Sequence, residues 1–154
     1  MERYKHTQIG YLMLACTLGV LALFTRAQLA ARAEPPSYDS GTNFAITAVM
    51  MLTVFILASF STLTVAIDER SLRVRFGWGI FRKKISLAEI ATVRKVKNRW
   101  YYGWGVRLCF RPTMWIYNVS GFDAVELTLK NGAIYRIGTD DPDALEEALH
   151  AYVR

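Results

Sequence analysis

TNFAITAVMMLTVFILASFSTLTVAI, residues 42–67, decides how this chain is read, because it begins as a membrane-type helix and ends as a β-strand. The stretch carries no Asp, Glu, Lys or Arg and exceeds the ~20 apolar residues that cross a bilayer. From Ser61 it alternates, with Leu63, Val65 and Ile67 on one side and Thr62, Thr64 and Ala66 on the other. Asp68-Glu69-Arg70-Ser71 reads as a turn. Leu72, Val74 and Phe76, alternating with Arg73 and Arg75, then read as the returning strand. A β-domain is therefore expected to start where the apolar segment stops.

Upstream, residues 1–6 are polar, with Arg3 and Lys5, and residues 7–25 are uncharged and apolar enough to span. Ala31-Arg32-Ala33 has the small-x-small form of a signal-peptidase site, but Ala33 lies well beyond the end of the apolar run, which favours a retained helix. Residues 28–41 include Pro35-Pro36 and read as a short exposed loop. The expectation is thus an α-helical hairpin of two transmembrane helices, about 7–25 and 42–60, making up residues 1–60, followed by a domain over residues 61–154. Only Arg26 and Arg32 lie at the loop, whereas Arg3, Lys5, Arg70, Arg73, Arg75, Arg82, Lys83 and Lys84 flank the other ends. The positive-inside rule then predicts a multi-pass protein of the bacterial inner (cytoplasmic) membrane with both termini in the cytoplasm.

Downstream, alternating runs predict further strands: residues 80–85, 91–97, 106–111, 114–119, 125–130 and 133–137. Asn131-Gly132 supplies a two-residue turn between the last two. The period then changes. Asp141 fits an N-cap, Pro142 the first helical position, and Leu145, Ala148, Leu149 and Tyr152 one apolar stripe.

Strands in this order with one closing helix are the architecture of a pleckstrin-homology domain. LTVAIDERSLRVRFGWGIFRKKISLAEIATVRKV (63–96), WYYGWGVRL (100–108), YNVSGFDAVELTLKNG (117–132) and YRIGTDDP (135–142) resemble the bacterial PH-like membrane proteins, over roughly residues 63–149. The resemblance implies a mainly-β PH-like barrel of seven or eight antiparallel strands with a C-terminal capping helix. It carries over no catalytic residues, because the family is mostly uncharacterised.

The chain's charge of +6 is uneven. Residues 68–111 hold twelve Lys or Arg against three acids, and residues 112–154 three against seven. The sharpest candidate site is Lys95, Lys97 and Arg99 interleaved with Trp100, Tyr101 and Trp104. Cations attract anionic lipid and amphipathic rings favour the interface, although a solvated strand with a packed aromatic corner would look the same. An anchored position argues against single-stranded nucleic acid. Arg82-Lys83-Lys84 is a second basic group, readable as a lipid contact or as a topology signal alone.

Cys16 and Cys109 read as small apolar side chains, and His6 and His150 stand apart, so no metal or cofactor is expected. Asp140, Asp141 and Asp143 are best read as helix-capping acids. Ser120, Asp123 and Glu126 are the nearest approach to a catalytic trio, with no base beside them. The functional expectation is a membrane-anchored binding or scaffolding module without catalytic activity, docking on anionic lipid, with no small-molecule substrate. Two alternatives stand beside it: a protein- or peptide-binding module, and an accessory subunit of a membrane enzyme or transporter. In the last, Gly10, Ala15, Gly19 and Ala22 would permit close packing or self-association.

Overall fold

A computed structural model describes residues 4–33 and 40–152. Strand β1 (Tyr4–Ile9) leads into helix α1 (Tyr11–Ala33), which packs against α2 (Ser40–Ser59). Strands β2 (Thr62–Ile67), β3 (Ser71–Phe76) and β4 (Arg82–Ser86) follow in antiparallel succession. A 3-10 turn at Leu87–Glu89 leads to β5 (Ile90–Lys97), and a second at Trp100–Tyr102 to β6 (Gly105–Phe110). The chain continues through β7 (Thr113–Asn118), β8 (Asp123–Leu129) and β9 (Ile134–Gly138) to helix α3 (Pro142–His150).

The described strands form two sheets, ordered β1-β2-β3-β4 and β5-β8-β9-β7-β6. No strand pairing joins them, so the expected closed barrel of seven or eight antiparallel strands is not formed. Two features explain this. Leu87, buried in the turn after β4, carries the chain across to the second sheet instead of extending the first. In the second sheet β9 inserts between β8 and β7 and runs parallel to β7, leaving β6 as an edge. The facing sides hold one core, including Leu63, Val74, Phe76, Val125, Leu127 and Ile137.

Helix α3 adds Leu145 and Leu149 to that core, both fully buried. Its sequence-predicted cap is made: the Asp141 carboxylate accepts from the Ala144 N–H, and Pro142 opens the helix. At about 2 kcal/mol or more for each fully buried leucine, these two side chains are the helix's main attachment.

The N-terminal half corrects the sequence reading. Residues 4–9 are a strand, paired antiparallel with β2 from Tyr4↔Ile67 to Ile9↔Thr62. Its inward positions include the polar His6 and the buried Gln8, so it lacks the apolar alternation that marks a strand. The first helix begins at Tyr11 and runs beyond Arg26, because Ala, Leu, Gln and Arg all favour helix.

Among the described residues one helix is long and apolar enough to cross a membrane, α1 over Tyr11–Ala31. The apolar stretch of α2, Phe44–Ser59, is shorter; at ~1.5 Å per residue it reaches about 24 Å against a ~30 Å hydrocarbon core. The uncharged run that suggested a second spanning helix owes its length partly to β2, whose residues lie in the sheet. A hairpin of two transmembrane helices is thereby overturned. So is the multi-pass placement in the bacterial inner membrane with both termini cytoplasmic, which needed two spans. The Pro35-Pro36 loop expectation lies outside the described residues.

Candidate functional site: the end of the sandwich that carries the helices

Both helix junctions lie at one end of the β-domain. Gly10, between β1 and α1, donates its N–H to the Ser61 carbonyl between α2 and β2, at 2.7 Å. The Gly77 N–H donates to Thr62 O at 2.9 Å, which brings the β3–β4 turn to the same end. Gly10 is tightly enclosed, since an added Cβ would stand 3.0 Å from Val119 O and press on its neighbours. The Gln8 amide donates to Ser120 O at 3.1 Å, so the β7–β8 turn is there too. The Asn98 N–H donates to Phe122 O, and the pairings Lys97↔Asp123 and Gly105↔Asn118 bring the β5–β6 connection alongside.

Three connections therefore crowd the helix end: residues 77–81, 98–104 and 119–122. They expose large apolar side chains. Trp78 is 64% exposed, Trp100 78% and Phe122 47%, with Ile80, Phe81 and Tyr101 also open. Aromatic stacking ties the first connection to α2, with Phe55 on Trp78 at 5.0 Å and Phe60 on Phe81 at 4.9 Å between ring centroids. The helices themselves expose Leu12, Leu18, Leu23, Phe44, Val49 and Phe55. The sequence marks the Trp100 corner as a run but Trp78 only as a turn residue, because its stacking partner Phe55 belongs to another element.

The predicted cations separate. Lys95 hydrogen-bonds the Asp143 carboxylate of α3, and that bond, more than any other influence, holds its ammonium above the usual lysine range. Lys97 stands 3.9 Å from Asp123. Arg99 donates to the Tyr101 hydroxyl at 2.8 Å and lies over its ring, an ordering of the Trp100 corner rather than an ion pair. Trp104 is half-buried, its carbonyl facing the Arg107 guanidinium. Arg82-Lys83-Lys84 is split by the strand pleat: Lys83 turns inward over the Tyr135 ring, while Arg82 and Lys84 face outward.

The acids expected to cap α3 each have a structural partner. Asp140 bonds His6, Asp141 caps α3 and Asp143 holds Lys95. Glu126 is 2% exposed and receives hydrogen bonds from Arg94 and from Arg136, the latter at 2.7 Å. Burial alone would push this carboxyl up, but the bonds from Arg136 and Arg94 outweigh it and hold it below the usual carboxylate range. Ser120, Asp123 and Glu126 do not converge, since Asp123 and Glu126 fall on opposite sides of β8. No cluster of three metal-ligating side chains occurs among the described residues. Cys16 and Cys109 are free. Of the small residues considered for helix packing, Gly10 lies outside α1, and a Cβ on Gly19 would meet open space.

No protein-family model matches the chain, and neither a curated protein nor a solved structure matches it.

Proposed function

We propose that this protein is a non-catalytic binding module held against a lipid bilayer by the exposed apolar side chains of its helices, with the connections at the helix end resting in the interfacial layer. The observation that carries the reading is the gathering of exposed aromatic side chains, Trp78, Phe81, Trp100, Tyr101 and Phe122, at the end where α1 and α2 leave the sheet. Aromatic rings with one polar edge settle at the boundary between hydrocarbon and headgroups. Large apolar side chains exposed along both helices need a cover, and lipid acyl chains provide it without a partner of matched shape. Arg99 at the Trp100 corner and Arg82 beyond the Trp78 turn then add attraction for anionic lipid.

The chain has four tryptophans, which makes the reading directly testable. Single-tryptophan chains, with the other three changed to Phe, are reconstituted in vesicles containing brominated lipid. Trp78 and Trp100 should be quenched. Trp115, which pairs with Leu108 away from the helix junctions, should not. Quenching of Trp115 alone, or of neither Trp78 nor Trp100, would remove the domain from the interface.

A further inference from the structure

The outer face of the first sheet carries a feature that interfacial docking does not use. Strand register places Thr7, Thr64, Arg75 and Arg82 in one row across β1 to β4. Arg75 and Arg82 are directly opposite one another, and both are exposed. Like charges facing each other across a strand pair are unfavourable. Yet no carboxylate among the described residues forms an ion pair with either, whereas Arg73 in the next row is matched with Asp68 at 2.6 Å. The Arg75 stem is also packed: Gly79 lies over it so closely that an added Cβ would stand 2.8 Å from Cδ. Beside the two guanidinium groups the Thr7 and Thr64 hydroxyls meet at 2.9 Å, so hydroxyl donors share the row.

Resting on the membrane reading above, we infer that the Arg75–Arg82 row takes the phosphomonoester headgroup of a membrane lipid. Two guanidinium forks present parallel N–H pairs, which suit phosphate oxygens better than a single point charge does. A monoester carries about −1.5 to −2 charge and three terminal oxygens, enough for both forks; a diester offers one charge. Location selects a lipid over a soluble phosphate. Thr7 lies four residues before the first residue of α1, about 13 Å of extended chain at ~3.3 Å each. The headgroup layer covers about 5 to 7 Å on each side of the hydrocarbon core, and long arginine stems extend to meet it.

The test uses the full chain in neutral detergent, titrated with short-chain phosphatidic acid, short-chain phosphatidylserine of the same length, and inorganic phosphate. Phosphatidic acid should bind about tenfold more tightly than phosphatidylserine, a preference that R75Q and R82Q each abolish and K84Q leaves in place. All three positions are exposed, so the variants should keep the parent's circular dichroism and melting behaviour. Equal affinity for the two lipids in the unaltered chain, or an undiminished preference in R75Q, overturns the inference. Inorganic phosphate binding as tightly as the lipid overturns its assignment to the membrane. Quenching of Trp78 by brominated lipid should survive R75Q, so a failure of this site and a failure of interfacial docking give different results.

Discussion

The two sheets treat the same kind of residue in opposite ways. In the second sheet four of the cations meet a carboxylate, Arg107 being the exception among the described residues: Arg94 and Arg136 share Glu126, Lys95 meets Asp143 and Lys97 lies near Asp123. On the first sheet Arg75 faces Arg82, and Arg73 faces Lys84 and pairs with Asp68. Arg94 and Arg136 thus hold strands of the second sheet together, whereas Arg75 and Arg82 of the first face each other without an ion pair to any carboxylate among the described residues. A count of basic residues along the chain cannot distinguish these uses, because strand register decides what each cation faces.

Breaking the Glu126 network should have the largest effect. Arg136 is only 14% exposed, so Glu126→Gln leaves a nearly buried charge without its counter-ion, at a cost of about 3 to 5 kcal/mol in denaturant unfolding. A loss below about 1 kcal/mol would show that the network does not hold the sheet. Leu145→Ala and Leu149→Ala should each cost about 2 to 5 kcal/mol by opening a cavity under α3, with the melting temperature as the measurement.

Acid should separate the sheets as well. The Glu126 carboxyl titrates below its unfolded value of ~4.3, so its contribution is complete above that pH and is lost as pH falls through the lower folded value. Unfolding curves of the parent and of Glu126→Gln should converge in acid; a constant gap across pH would mean that the carboxylate's charge is irrelevant. On the first sheet, Arg82→Glu places opposite charges across the strand pair and should stabilise by up to about 0.5 kcal/mol. Smallest of all, Lys95→Gln and Lys97→Gln should each leave anionic-vesicle binding nearly unchanged, since their neighbours already offset their charge.

What the sequence disclosed follows from how local each signal is. Strands β2, β3 and β8 alternate strongly, the Asn131-Gly132 turn is a two-residue signature, and the Asp141-Pro142 cap is written within four residues of its helix. β1 was hidden because its inward side chains are polar and its partner lies beyond both helices. Closure into a barrel was expected from element order, but order does not reveal that β9 runs parallel beside β7. At the helix end, Trp100 and Tyr101 stood out as a run. Trp78 gained its meaning from Phe55, which is distant in sequence, and Arg75 gained its meaning from register with Arg82.

The pairing of β1 with β2 also imposes an order in time. During synthesis the first strand emerges roughly fifty residues before its partner and has no edge to join until both helices have been made. Closing a flexible loop of that length carries an entropic cost that grows as about (3/2)RT ln n. An α1–α2 hairpin already formed brings the two ends together and removes most of that cost. The first sheet would thus gain its outer strand only after the helix pair has formed.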